Sequence, residues 1–220
     1  MTYRAVLFDL DGTLLDTLGD IASAVNDALA GEGFPTHPIE AYREFIGDGV
    51  VTLIERALPV NKGKRDEGAI ARCIAGYRSA YEREWNVRTR PYDGIPEMLD
   101  SLTSLGVAMG VLSNKPDDFT RLCVSKYLST WPFRVVFGQR EGVPRKPDPA
   151  GAIEAARGLG FEPGEVLYVG DTSVDMETGR RAGMRPIGVA WGFRSTEELW
   201  STGAKAVIET PAELLLHLQD

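Results

Sequence analysis

Residues 4–13 read RAVLFDLDGT, an apolar run that ends in two aspartates and a glycine. The run is apolar at successive positions rather than at every second one, which suits a strand covered on both faces. Side-chain alternation at its end puts Asp9 and Asp11 on the same side. Two carboxylates so close repel each other unless a cation or a proton lies between them. Gly12 lets the chain turn tightly there and aim backbone N–H groups inward. Taken alone, an Asx-type turn closing a strand explains the pattern equally well.

Runs of the same character lie at residues 107–113 (VAMGVLS), 134–138, 166–171 (VLYVGD) and 186–191, with a weaker one at 206–209. Helices are predicted between them, over residues 95–105, 117–128, 149–159, 173–182 and 211–218. In the third of these, Ile153, Ala156 and Leu159 recur near the helical period, and Pro149 suits a first turn. Gly106, Gly160 and Gly183 each follow a helix and precede a strand, where a left-handed residue is wanted. Such alternation implies an α/β fold: a Rossmann-like parallel sheet with helices on both faces. Its ligand crevice belongs at the carboxyl ends of the strands. Between residues 16 and 90 the alternation stops. Helical patterns at 21–30, 50–58 and 69–85 replace it, the first with Ile21, Ala22, Val25, Ala28 and Leu29 on one face. The simplest account is a helical domain, residues 16–90, inserted into a core made of residues 1–15 and 91–220.

Composition narrows the function. With 24 Lys+Arg against 32 Asp+Glu, the net charge is −8, which disfavours the nucleic-acid backbone as a partner. Hydrophobic residues at 43% and charged ones at 25% fit a globular chain rather than a disordered one. No apolar run approaches the ~18 residues that span a bilayer, and the N-terminus lacks the pattern of a signal peptide. Cys73 and Cys123 lie far apart without a Cys-x-x-Cys, so reduced thiols and a cytoplasmic location are expected. No feature sets the oligomeric state, so a monomer or small homo-oligomer is expected.

The other strand ends carry the same chemistry as the first. Residues 107–113 end in Ser113-Asn114-Lys115, and the run at 166 ends in Gly170-Asp171-Thr172-Ser173-Val174-Asp175. The loop before Pro149 reads Arg145-Lys146-Pro147-Asp148. Oxygen ligands without His or Cys suit Mg²⁺, and a lysine beside Ser and Asn donors suits phosphate oxygens.

These four segments, DLDGT, SN, K and GDTSVD in that order, resemble the motifs of the haloacid dehalogenase-like superfamily, and the likeness covers essentially the whole chain. The helical insertion resembles that family's cap domain. SNKP at 113, FIGDGV at 45 and VAWGFR at 189 most resemble phosphoglycolate phosphatases. The resemblance implies a Mg²⁺-dependent phosphatase acting on a small phosphorylated metabolite, with 2-phosphoglycolate the first substrate to consider. Asp9 would be the nucleophile and Asp11 the general acid and base. Asp9, the Asp11 carbonyl and Asp171 would hold the metal, and Asp175 would stand behind them. Ser113, Asn114, Gly12 and Lys146 would bind the transferring phosphoryl group.

Asp11 itself sorts the family. Dehalogenases do not carry an acid there, so phosphate-ester chemistry or a phosphomutase is favoured. Sugar phosphomutases of this type have a basic, serine-rich stretch early in the cap, which Glu44-Phe45-Ile46-Gly47-Asp48-Gly49-Val50 lacks. A pyrophosphatase of the same superfamily, or a non-catalytic phosphometabolite-binding protein, are the remaining alternatives. Gly47, Asp48 and Gly49 would read the leaving group from a cap loop, though a helix–loop–helix turn needs glycine as much. Lys115 would reach an acidic substrate group, or else be a solvated surface lysine; Arg43 would do the same from the cap. Lys62-Gly63-Lys64-Arg65 is a charge run too short to suggest nucleic acid.

Overall fold

The computed structural model describes residues 2–59 and 66–219, so the charge run at 62–65 lies outside the described residues. The chain divides into two compact units, one of Met1–Leu15 and Pro91–Asp220, the other of Asp16–Arg90. In chain order the elements are β1 (Ala5–Phe8), β2 (Leu15–Asp16), α1 (Leu18–Gly31), α2 (Tyr42–Phe45), α3 (Val50–Ala57), α4 (Glu67–Glu84) and β3 (Arg90–Pro91). Then follow α5 (Ile95–Ser104), β4 (Ala108–Pro116), α6 (Asp117–Tyr127), β5 (Phe133–Gln139), α7 (Ala150–Leu159) and β6 (Val166–Gly170). Last come α8 (Ser173–Ala182), β7 (Arg185–Val189), α9 (Thr196–Ser201) and β8 (Ala206–Ile208).

The first unit is a six-stranded parallel sheet in the order β5-β4-β1-β6-β7-β8. Leu7 of β1 lies between Gly110 of β4 and Tyr168 of β6, so β1 is central. On one face Ala5, Leu7, Val135, Val166 and Tyr168 pack with Ala152, Ala155, Ala156 and Leu159 of α7. The alternate residues Val6, Phe8, Met109, Val111 and Leu167 are equally buried, as strands covered by helices on both sides require. The expected α/β architecture is therefore present, and all six strands read from the sequence pair in it.

Differences from the expectation are local. Residues 211–218 form a 3₁₀ helix, Pro211–Gln219, rather than an α-helix. β4 does not stop at Ser113 but runs on to Pro116, where it pairs with Gln139 across a register shift. The two-residue strands β2 and β3 pair with each other, and neither they nor α2 and α9 stand out in the sequence. Such short pieces carry too few residues for a periodic signal. Among the described residues no helix is long and apolar enough to cross a membrane.

The second unit is helical. α1 and α4 pack closely, with Gly76 giving Ala28 room: a Cβ there would stand 3.2 Å from the Ala28 Cβ. Asn26 fixes the segment after α1, donating to the His37 carbonyl, accepting from the His37 N–H (both 2.9 Å) and accepting from the Tyr42 hydroxyl at 2.6 Å. Asp20 closes the unit on itself. Its buried carboxylate accepts from the N–H groups of Arg88 (3.0 Å) and Thr89 (2.9 Å) and from the Thr89 hydroxyl (2.8 Å). Replacing it leaves two backbone donors without their partner, which costs about 1–3 kcal/mol for each buried group. Asp20→Ala is expected to lower stability by roughly 3 kcal/mol in urea unfolding, and Asp20→Asn by less, because the amide keeps one acceptor.

Candidate active site

β4, β1 and β6 are neighbours, so whatever follows them meets at one edge of the sheet. Asp9 continues from β1 and donates its N–H to the Val169 carbonyl at 2.9 Å. The chain then folds back: the N–H groups of Thr13, Leu14 and Leu15 all donate to the Leu10 carbonyl. Gly12, at φ 85°, allows that turn. It also allows a close approach, since a Cβ on Gly12 would stand 2.3 Å from Asp171 Oδ2. Gly192, after β7, crowds the same side chain; a Cβ there would lie 2.1 Å from the Asp171 Cβ. Between these two glycines Asp171 is fully buried, its Oδ1 accepting from the Thr13 hydroxyl (3.0 Å) and its Oδ2 from the Phe193 N–H (2.8 Å).

Lys146 organises the other side. Its ammonium donates to Asp175 Oδ1 at 2.7 Å and to the Leu112 carbonyl at 3.2 Å, and it stands 3.0 Å from Asp9 Oδ1. Its backbone is held by the Asn114 side chain, which accepts from the Lys146 N–H (2.9 Å) and donates to the Lys146 carbonyl (3.1 Å). The second oxygen of Asp175 accepts from the Thr172 N–H (3.1 Å) and hydroxyl (2.6 Å), a capping box that also starts α8. Lys115 pairs with Asp11: its ammonium lies 3.1 and 3.2 Å from the two carboxylate oxygens, in a buried setting. Ser113 Oγ, also buried, accepts from the Lys115 N–H at 3.3 Å.

The electrostatics follow from this crowding. Burial pushes the Asp9 carboxyl up to about 7; the Lys146 ammonium pulls the other way, and Asp175 and Asp11 add to the rise. Burial, with Asp175 and Asp9 nearby, holds the Asp171 carboxyl well above the usual range, against the hydrogen bonds from Phe193 and Thr13. Burial works against the charge on Lys146, but Asp175 and Asp9 outweigh it and hold the ammonium well above its ordinary value. Carboxylate oxygens of Asp9, Asp171 and Asp175 lie within 4.8 Å of one another. Asp9 Oδ1, buried, has the Lys146 contact but no aligned hydrogen bond. An all-oxygen, electron-rich cluster with one under-satisfied carboxylate fits a hard divalent cation such as Mg²⁺.

The geometry thus brings together Asp9, Asp11, Gly12, Ser113, Asn114, Lys115, Lys146, Asp171 and Asp175, all in the sheet unit. The remaining sequence candidates belong to the helical unit. There Asp48 pairs with Arg56 at 2.6 Å, Arg43 pairs with Glu40 at 2.8 Å, and Gly47 and Gly49 take φ 128° and 85°. Three contributors escaped sequence reasoning. The hydroxyls of Thr13 and Thr172 each hold a carboxylate, although both residues stand inside motifs the sequence displays. Trp191 donates its indole N–H to the Thr13 carbonyl at 3.0 Å, tying the loop after β7 to the turn after β1. The signal that would find that loop is its place at a strand end with a glycine in it.

A family model described as haloacid dehalogenase-like hydrolase matches residues 6–189. The N-acetylmuramic acid 6-phosphate phosphatase of Pseudomonas aeruginosa is 31% identical over 98% of this chain and 94% of its own length. A phosphoglycolate phosphatase of Xylella fastidiosa is 34% identical over 94% of this chain and 90% of its own. Among solved structures, one from Lactobacillus delbrueckii subsp. bulgaricus, provisionally named a phosphoglycolate phosphatase, superposes with a TM-score of 0.90. It is 29% identical and covers 99% of both chains.

A carboxyl raised in the folded state stabilises the fold below its unfolded value and loses that contribution as pH rises through its folded value. Asp9, raised to about 7, and Asp171, raised by the same causes, both act in this sense. Lys146, raised above the ordinary lysine value, stays charged and adds no slope near neutrality. Without metal, the thermal midpoint is therefore expected to fall between about pH 4 and about pH 7. Asp9→Asn should flatten that fall, and added Mg²⁺ should raise the midpoint more at the upper pH than at the lower.

Proposed function

The chain belongs to the haloacid dehalogenase-like hydrolase family, and from that membership we propose a phosphatase that hydrolyses a small phosphomonoester through an aspartyl-phosphate on Asp9. It is a phosphoric monoester hydrolase, as its phosphoglycolate phosphatase relatives are. The observation that carries the mechanism is Asp9 itself: a buried carboxylate held by an ammonium on one oxygen, with Asp171 and Asp175 alongside.

In this reading Asp9 attacks phosphorus, splitting one difficult hydrolysis into two easier steps. Asp11 gives a proton to the departing alkoxide and later takes one from the water that opens the intermediate. Lys146, Ser113 and the backbone at Asn114 bind the phosphoryl oxygens, and the Gly12 turn supplies N–H groups. Asp9, the Asp11 carbonyl and Asp171 would hold Mg²⁺, with Asp175 fixing Lys146 behind them. When bound, the cation offsets the repulsion between an anionic nucleophile and an anionic substrate. Asp48 with its glycines and Arg43 are proposed to take part in substrate choice.

2-Phosphoglycolate is the substrate we favour, on the strength of relatives at 31–34% identity over nearly the whole chain. N-Acetylmuramic acid 6-phosphate is the second reading, favoured by a relative matching 98% of the chain. No nucleic-acid or membrane partner is part of the proposal, and a cytoplasmic monomer or small homo-oligomer is.

The test is phosphate release from a panel holding both esters, with and without Mg²⁺. Release should require the metal and fall by roughly 10³-fold or more in Asp9→Asn. In Asp11→Asn the loss should reach roughly 10²-fold for alkyl esters and be smaller for aryl esters, whose leaving groups need less protonation. An Asp9→Asn protein that retains wild-type turnover overturns the mechanism.

A further inference from the structure

We propose that Trp191 is a positioning residue for the cation: its indole N–H holds the Thr13 carbonyl, and so keeps the Thr13 hydroxyl against Asp171. The proposal rests on the reading above in which Asp9 and Asp171 hold Mg²⁺, and deepens it by naming the loop that sets the affinity.

Asp171 needs more than burial to stay aimed. Oxygens of Asp9, Asp171 and Asp175 lie within 4.8 Å of one another. Once ionised, as a metal ligand must be, such carboxylates repel and tend to turn apart. Two hydrogen bonds oppose that turn, and both trace back to the loop after β7. The Phe193 N–H bonds Oδ2 directly at 2.8 Å. The Thr13 hydroxyl bonds Oδ1 at 3.0 Å, and the carbonyl of that same residue accepts the Trp191 indole N–H, also at 3.0 Å. Thr13 stands in a turn whose Leu10 carbonyl is shared among three N–H groups. Its own share is the longest, 3.3 Å against 3.0 Å for Leu14 and Leu15. The turn thus grips Thr13 least of the three, and the indole adds to that hold.

The loop itself has little slack. Ala190 donates its N–H to the Ile208 carbonyl at 3.0 Å, which carries the β7–β8 pairing up to the residue before Trp191. Phe193 is buried, and its ring packs on the turn: a Cβ on Gly12 would meet Phe193 Cδ2 at 2.9 Å. Trp191 and Phe193 therefore grasp adjacent residues of the turn, Thr13 and Gly12, while Gly192 between them lies against Asp171. Groups that orient a metal ligand from behind are typically worth about 10–100-fold in affinity. The indole acts one hydrogen bond farther back, which puts its share near the lower figure.

The experiment titrates the protein with Mn²⁺, without substrate, and reads the free ion by electron paramagnetic resonance. Trp191→Phe keeps an aromatic ring and deletes the N–H; its Kd for Mn²⁺ should rise about tenfold, and that of Thr13→Val by at least as much. The double variant should bind no more weakly than Thr13→Val alone, since the indole acts through that hydroxyl. Thr13→Ser keeps the hydroxyl and should bind within about threefold of the wild type. A Trp191→Phe protein that binds Mn²⁺ within about twofold of the wild type overturns the proposal and leaves Trp191 as packing. Losses that add in the double variant overturn it as well. A wild type that takes up no Mn²⁺ overturns the cation reading itself, and the proposal falls with it. The wild type also gives an answer that needs no variant of Trp191 to fold. By linkage, Mg²⁺ strengthens the indole bond by the factor with which the bond strengthens Mg²⁺ binding. The Trp191 indole proton, assigned in NMR spectra by replacing Trp85, Trp131 and Trp200 in turn, should exchange with solvent about tenfold more slowly in Mg²⁺. An exchange rate that Mg²⁺ leaves unchanged overturns the proposal.

Discussion

Lys146 stands between Asp9 and Asp175 where water does not reach, and both carboxylates need it as much as it needs them. Moving an ion from water to such a place costs several kcal/mol unless partners compensate. The protein supplies them in layers. Asp175 is saturated by Lys146 and by Thr172, and Thr172 in turn begins α8. Asn114 grips the backbone on either side of the lysine. The result is a cation whose position is determined from a strand end, a helix start and a loop at once. Asp9 receives what is left of that charge, 3.0 Å away and without an aligned hydrogen bond. The proposed nucleophile is thereby held in place by a charge and not by a hydrogen bond.

The opposite wall works by exclusion. Asp171 is confined by two glycines that can carry no side chain, and its oxygens are turned by a hydroxyl and a backbone N–H. Both of its oxygens are thus oriented by the fold itself. Preorganisation of this kind is where enzymes obtain much of their electrostatic advantage.

Much of this is legible in the chain because the sheet is parallel and central. β1 reads as a strand from four buried residues in succession, and a carboxylate following such a strand is at the ligand edge by topology alone. What escapes is whatever depends on distant partners. Asn114, Lys115 and Pro116 lie beyond the apolar run, yet pairing with β5 keeps them in a strand. The Lys115–Asp11 pair joins residues 104 positions apart, and no local pattern announces it. Trp191 and Gly192 matter only because β7 delivers them beside Asp171 and Thr13. The 3₁₀ helix at Pro211–Gln219 has apolar residues that fit an α-helix as readily, so its type was not readable.

The carboxylate of Asp20 bears on how such a chain assembles. β1 must find β4 across an interval of about one hundred residues, a separation that slows folding through the entropy of closing the loop. Asp20 lies near the beginning of the inserted unit and its partners Arg88 and Thr89 near the end. An insertion that brings its own two ends together turns that long detour into a short effective connection. With those ends tied, the loop between β1 and β4 is effectively shorter than the intervening chain.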